Sequence, residues 1–342
     1  MSHSIVLSPQ ILAVRFGSTG DILFATPLFR AIRARHPGVH LTVVTRRRYV
    51  PLLADNPRVD EVIGLAPGAS LLRLASRIRA GRFDHLLDLD GSPRARMLHL
   101  LAPGRWRTAP QYRFAREMLI RTKMNYYPED MPLPERYFDA ARDLDVAPDG
   151  GPLELFLSEE AEEQAAGWLA QAGVGQGRPL VGFAPGGSRP TKRWPLEHWV
   201  RLVRRVAGTG ADAVLVGGPE DTAIAAEVAV RSTTRAVNAA GALGLQATAA
   251  VLKRCAALIS GHTAAFHLAT AVGTPVVGLF GPTVRAFGTY PYHARRATVL
   301  ERSLSCRPCS RDGGAECPMG HHLCMLEIQP DAVFSALCRT LA

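Results

Sequence analysis

The segment Gly17-Ser18-Thr19-Gly20-Asp21, followed by Thr26-Pro27, places one carboxylate in a glycine loop. The loop comes straight after the apolar run Ile11-Leu12-Ala13-Val14. It opens a stretch with apolar residues at helical spacing: Ile22, Leu23, Ala25, Phe29 and Ile32. A strand, a glycine loop and a helix start are where doubly wound proteins place chemistry. The spacing is Gly-x-x-Gly-Asp rather than Gly-x-Gly-x-x-Gly, so a dinucleotide cradle is poorly supported. Two roles are open to Asp21: capping the helix and offsetting its dipole, or catalysis.

A second grouping of reactive side chains is Cys306-x-x-Cys309 with Cys317 and Cys324. The first spacing fits one metal knuckle and the other two are irregular. Four thiolates so close along a loop region predict a small structural site for zinc or iron, with four free thiols as the alternative. Cys255 and Cys338 lie in apparent helices and read as core.

The elements that must position these groups alternate in type. In the first half, Ile11–Phe16, Leu41–Thr45, Glu61–Gly64 and His85–Leu89 are short, apolar and rich in branched residues, as buried parallel strands are. Helices are expected at 21–35, 70–80 and 92–101. Pro27 lies inside the first and should kink it or shift its start. Residues 124–152 carry Pro128, Pro132, Pro134, Pro148 and Pro152, a loop-rich region. A helix over 159–172 and a glycine-rich break at 173–179 follow.

The pattern then restarts. Strands are expected at Leu180–Ala184, Ala213–Val216, Ala257–Ser260 and Val276–Phe280. Helices are expected at Pro195–Ala207, after Gly217-Gly218-Pro219 through Val228, near 245–255, at 263–272 and at Gln329–Leu341. Two βαβ series imply an α/β protein of two Rossmann-like halves with a cleft between them, ligands lying outside the carboxyl ends of the strands. The division predicted is an N-terminal domain over 1–172, a C-terminal domain over 173–328 containing a Cys-rich segment 306–324, and a terminal helix over 329–342.

The 342 residues suffice for two cores, because single cores stop growing near roughly 250–300 residues. Forty Lys and Arg against 30 Asp and Glu give a formal net charge of +10, which favours anionic partners. The bland account is an arginine-rich composition spread along helices, as at Arg201, Arg204 and Arg205. No recognition motif accompanies the arginines, so nucleic acid is not an expected partner. No apolar run reaches the roughly 18–20 residues of a membrane span. The start, Met1 to Leu7, lacks the basic and long apolar regions of a signal peptide, so a cytosolic protein with free thiols is expected.

Three separated blocks give the chain a resemblance. The first is Arg15-Phe16-Gly17-Ser18-Thr19-Gly20-Asp21 through Pro27. The second is Pro185-Gly186-Gly187-Ser188 with Lys192-Arg193-Trp194-Pro195 and Trp199, then Gly217-Gly218-Pro219-Glu220-Asp221. The third is Ile259-Ser260-Gly261-His262-Thr263-Ala264-Ala265-Phe266-His267, then Gly273-Thr274-Pro275 and Phe280-Gly281-Pro282-Thr283. In this order they resemble the heptosyltransferases of glycosyltransferase family nine, which have the GT-B fold of two Rossmann-like domains facing a central cleft.

The resemblance implies an inverting glycosyltransferase that needs no cofactor for its chemistry. Its donor would be a nucleotide sugar, ADP-heptose, and its acceptor an anionic glycolipid, the inner core of lipopolysaccharide; the alternatives are another nucleotide sugar, a protein or small-molecule acceptor, or a nucleotide-binding relative without turnover. The glycolipid acceptor would bring peripheral contact with the inner membrane. By position, Asp21 is implied as general base. Lys192, Gly187, Ser188, Thr263 and Ala264 are implied at the donor diphosphate, and Glu220 or Asp221 at the ribose.

Ser18, Thr19 and Gly20 are implied at the acceptor. Arg46, Arg47 and Arg48 would meet acceptor phosphates with Arg113, Arg116, Arg121 and Lys123, or form a solvated loop. The chain departs from the family at Ala264, where Gly is usual, and at His262, where an Asp usually bonds the donor sugar. His267 reads as a satisfied helix histidine or a site residue, and Trp194 and Trp199 as packing.

Overall fold

The chain is described by a computed structural model over residues 9–128 and 131–342. The stretch Met1 to Leu7, read above for a targeting signal, lies outside the described residues. Two compact units are present, one formed by residues up to 111 with 131–156, the other by 112–128 with 157–342.

The first unit is a five-stranded sheet of β1 (Gln10–Val14), β2 (His40–Arg46), β3 (Glu61–Leu65), β4 (His85–Asp88) and β5 (Trp106–Thr108), ordered β3-β2-β1-β4-β5. Every pair in it is parallel, with Ile11 opposite both Leu41 and His85. The continuous apolar run of β1 follows from burial on both faces, and Ile11 to Val14 are fully enclosed. Its helices are α1 (Thr19–Phe24), α2 (Thr26–Arg35), α3 (Leu71–Ala80) and α4 (Pro93–Leu101). The single helix expected over 21–35 is two, because Pro27 sits in the first turn of α2, where its missing N–H leaves no bond unmade. Thr26 Oγ1 donates to the Leu23 carbonyl across the break at 2.7 Å.

The chain then leaves this unit through α5 (Arg113–Thr122) and returns with α6 (Leu133–Arg136). In α5, Ala115 and Leu119 pack with Tyr127 on Ala286 and Phe287 of the second unit. Lys123 Nζ donates to the Pro308 carbonyl at 2.7 Å.

The second unit has α7 (Glu159–Ala172), β6 (Leu180–Ala184), α8 (Leu196–Ala207), β7 (Asp212–Leu215), α9 (Thr222–Ser232) and β8 (Ala236–Asn238). There follow α10 (Leu245–Lys253), β9 (Ala257–Gly261), α11 (Ala264–Ala271), β10 (Val276–Phe280), β11 (Ala297–Glu301), α12 (Leu323–Leu326) and α13 (Pro330–Leu341). The six parallel strands are ordered β11-β10-β9-β6-β7-β8, the arrangement of dinucleotide-binding domains. Two such units make the fold GT-B. The expected division at 172/173 differs from the observed one because α7 belongs to the second unit. Glu162 takes Lys253 Nζ at 2.8 Å and also pairs with Arg254, and the Ser158 amide donates to Gln246. Trp194 and Trp199 are core, their rings edge to face at 5.0 Å. Cys255 is buried, whereas Cys338 is exposed on the outer side of α13 and not in the core. No helix among the described residues is long and apolar enough to cross a membrane.

Candidate active site

Parallel sheets bind ligands where the strand order reverses. In the first sheet that point lies between β1 and β4. The chain leaving β1 delivers Arg15 and Asp21, and the chain leaving β4 delivers Asp90. Arg15 Nη2 lies 2.6 Å from Asp21 Oδ1, and its Nη1 lies 3.3 Å from Asp90 Oδ2. Asp90 is held in turn by the Phe16 amide at 2.9 Å.

Asp21 Oδ2 accepts from the Ser18 amide at 2.9 Å and the Ser18 hydroxyl at 3.0 Å, closing a capping box at the start of α1. Gly17 is required here: a Cβ would stand 2.5 Å from Asp21 Oδ2. Burial pushes the Asp21 carboxyl upward, but the Arg15 guanidinium and the Ser18 amide outweigh it and hold the group below its ordinary value. A carboxylate has roughly four lone-pair sites. Arg15 and the two Ser18 donors leave room for one more, and the side chain keeps 25% of its surface exposed. The cap reading of Asp21 is therefore realised, in a geometry that still admits a hydroxyl.

In the second sheet the order reverses between β6 and β9. The loop after β6 carries Gly186 to Lys192, and the turn after β9 carries His262 and Thr263. Lys192 is buried at 6% exposure, and its carbonyl lies close enough to Gly261 that a Cβ there would stand 3.1 Å away. No side chain caps α11: the Thr263 hydroxyl lies instead 2.8 Å from Ser260 Oγ. Thr263 is the N-cap of α11 and Ala264 its first residue, so their amides lie at the positive end of the helix dipole. His262 Nδ1 lies 3.3 Å from Thr283 Oγ1, and its ring stacks on Phe280 at 4.7 Å. His267 is buried on α11, 5.2 Å edge-on from His262. Burial first, then the neighbouring Lys192 and His267, hold His262 well below the usual histidine range, so its imidazole is neutral.

The acidic pair after β7 separates in role. Asp221 accepts from the Gly187 amide and the Gly218 amide, both at 3.1 Å, tying the β6 loop to the β7 loop. Gly186 and Gly217 make room for it, since a Cβ at Gly186 would overlap the carboxylate at 2.0 Å. Glu220 and Ser188 are exposed.

The metal expected at the cysteine segment finds no support in the geometry. Among the described residues no group of three or more His, Cys, Asp or Glu is disposed to hold a metal ion. Cys306, Cys309, Cys317 and Cys324 are free thiols. Cys306 Sγ lies 4.0 Å from His321 Nε2, Cys317 Sγ accepts from the His322 amide at 3.4 Å, and Cys324 is buried. Burial, together with the neighbouring cysteine thiols, pushes the Cys324 thiol up to about 11 and raises Cys309, so the four thiols lie close enough to act on one another. The segment instead docks on the Lys192 loop, through His322 Nε2 at 2.9 Å from the Thr191 carbonyl.

Each unit thus gathers its own expected residues: Ser18, Thr19, Gly20 and Asp21 at one reversal point, and Gly187, Lys192, His262, Thr263, Ala264 and His267 at the other. Arg46, Arg47 and Arg48 are exposed at the end of β2. Sequence reasoning gave no role to Arg15, Asp90 or Thr283. The signal for Asp90 was present as a carboxylate just past an apolar strand, in Asp88-Leu89-Asp90-Gly91.

Comparison with known proteins adds the following. The model of glycosyltransferase family 9 (heptosyltransferase) matches residues 71–320. Lipopolysaccharide heptosyltransferase 2 of Escherichia coli (strain K12) is 26% identical over 348 residues, covering 96% of this chain and 97% of its own. A solved glycosyl transferase family 9 structure from Veillonella parvula DSM 2008 superposes with a TM-score of 0.81 at 24% identity, covering 98% of this chain and 97% of that one. The structure of E. coli ADP-heptose lps heptosyltransferase II gives 0.74 at 23% identity, covering 97% and 98%.

Proposed function

The chain belongs to glycosyltransferase family 9, and on that premise we propose that it moves a heptose from ADP-heptose to a hydroxyl of the lipopolysaccharide inner core, inverting the anomeric centre in one displacement. The observation carrying this reading is the buried Lys192 beside the uncapped start of α11 at the reversal point of the second sheet. A leaving nucleoside diphosphate gains negative charge. A fixed ammonium and aligned amides stabilise that charge where it develops, so no cofactor is assigned a step. Donor and acceptor are taken from the names of the E. coli relatives.

In this reading the second unit takes the nucleotide sugar. Lys192, Gly187, Ser188, Thr263 and Ala264 surround the diphosphate, and Glu220 bonds the ribose, because Asp221 is occupied with backbone amides. His262 and His267 border the sugar. The first unit takes the acceptor, whose hydroxyl reaches the remaining lone pair of Asp21 beside Ser18, Thr19 and Gly20. Attack of that oxygen on the anomeric carbon breaks the bond to the diphosphate, and Asp21 receives the proton. Arg46, Arg47 and Arg48 meet acceptor phosphates. The net charge of +10 suits work at the anionic cytoplasmic face of the inner membrane.

The test is turnover of ADP-heptose with a heptose-deficient inner-core acceptor, read as ADP release and a one-heptose mass gain. Turnover of other nucleotide sugars with none of ADP-heptose would overturn the donor assignment.

A further inference from the structure

The ammonium of Lys192 has a partner that comes from the cysteine-rich segment. Asp312 Oδ1 lies 2.8 Å from Lys192 Nζ, and the Asp312 side chain is 63% exposed whereas that of Lys192 is 6% exposed. The approach is built on both sides. Gly314 accepts from the Thr191 amide at 3.2 Å and hydroxyl at 3.1 Å, and the Gly314 amide lies 2.7 Å from the same hydroxyl. Gly313 sits at φ +83°, and a Cβ there would stand 2.9 Å from both Lys192 Cγ and Arg189 Cβ. Only glycine lets the strap press this closely on the lysine stem and deliver the next-door carboxylate to its head.

We propose that Asp312 is a built-in competitor for the donor diphosphate at Lys192, displaced when the nucleotide sugar enters and returned when the nucleoside diphosphate leaves. The proposal rests on the reading of Lys192 as the diphosphate cation. A buried ammonium without an anion is costly. Asp312 offsets that cost and keeps the side chain extended toward the place where the diphosphate will lie. One exposed carboxylate is a weak holder. A diphosphate brings more charge and more acceptor oxygens, and it also engages the α11 amides, so it wins the exchange. On the return path Asp312 helps the product leave. The strap bearing Asp312 therefore moves with each turnover, while the Thr191–Gly314 contacts act as its hinge.

The test is calorimetry of ADP binding to the full chain as wild type, D312N, K192A and the double variant. D312N should bind ADP about 3- to 10-fold more tightly and show stronger product inhibition by ADP. K192A should bind more weakly, and adding D312N to it should change affinity less than twofold. A merely anchoring Asp312 would give D312N unchanged or weaker ADP binding, which overturns the proposal while leaving Lys192 in place. An equal gain in the K192A background overturns it too, because the effect would not run through the lysine. Unchanged ADP affinity in K192A instead removes the premise about Lys192. D312S serves as the second substitution, since the exposed side chain tolerates both.

Discussion

Arg15 and Asp21 are paired at 2.6 Å, and the same guanidinium reaches Asp90 at 3.3 Å. The group assigned as base is thus kept ionised by a cation that it shares with a second carboxylate. A base of lowered pKa is intrinsically weaker, but its deprotonated form is always present. That suits a displacement in which the leaving bond breaks early and the proton moves late.

Asp21→Asn separates capping from catalysis. The amide oxygen can still accept from the Ser18 amide, so the helix start survives. The side chain can no longer take a proton. Turnover should fall about 10²- to 10⁴-fold with ADP affinity nearly unchanged, while the melting temperature falls because the buried Arg15 loses its nearer carboxylate and keeps only Asp90. Near-native turnover would leave Asp21 a cap only.

Arg15→Met should raise the Asp21 pKa, because the cation favouring the charged form is gone and burial is then opposed only by the two Ser18 donors. In wild type, the acid limb of the rate profile belonging to Asp21 lies below the ordinary carboxylate range. The variant should move that limb to higher pH. Stability should drop by about 2–3 kcal/mol, less than the roughly 3–5 of a fully buried pair, because Asp21 retains 25% exposure. In wild type the stability from this pair is complete above the unfolded carboxyl's pKa and fades as pH falls through the lower folded value. An acid limb that stays put in the variant would show that Arg15 does not tune Asp21.

Most strands that the sequence made legible are buried on both faces; Glu61–Leu65, an edge strand with one buried residue, was legible through its apolar Val62-Ile63 pair. Leu180–Ala184 and Val276–Phe280 coincide with the expected runs. Those that escaped notice, Trp106–Thr108, Ala236–Asn238 and Ala297–Glu301, are sheet-edge strands with few buried residues, so no continuous apolar run marks them. Asp21 stood out as the one carboxylate in a glycine loop, and Lys192, which stands between Arg189 and Arg193, only through the block that carries the family resemblance. Asp312 did not, because its meaning depends on a contact 120 residues away along the chain. The four cysteines drew attention by spacing, and their thiols do act on one another, yet among the described residues no group of three is disposed to hold a metal ion.

Glu220 and Asp221 are adjacent in sequence and should behave oppositely. Asp221→Ala leaves the Gly187 and Gly218 amides without their acceptor, at a cost of about 1–3 kcal/mol. Glu220→Gln touches an exposed side chain and should leave the melting temperature alone while weakening ADP binding several-fold. Thermal melts and calorimetry on both variants check this. The reverse pattern would return the ribose role to Asp221.

His262 is where donor choice should be decided. Its ring is fixed by Phe280 on one side and by Thr283 at Nδ1, leaving Nε2 as the other polar atom. The neutral imidazole offers one donor and one acceptor nitrogen, whereas a carboxylate only accepts. His262 therefore cannot bridge two sugar hydroxyls as a carboxylate would, and it adds no negative charge beside Lys192. Because its pKa is held well below the usual value, donor affinity should not change as pH passes through 6.5. His262→Asp restores an acceptor for two hydroxyls. It also places an anion near the diphosphate and removes the stack on Phe280. Sites built to hydrogen-bond hydroxyls discriminate strongly against mismatched partners, so the variant should reorder a panel of nucleotide sugars by about tenfold or more between members. It should also bind ADP itself somewhat less tightly. Competition binding of the panel to both proteins reads the order directly. The same ranking and similar rates in the two would mean that His262 does not select the donor.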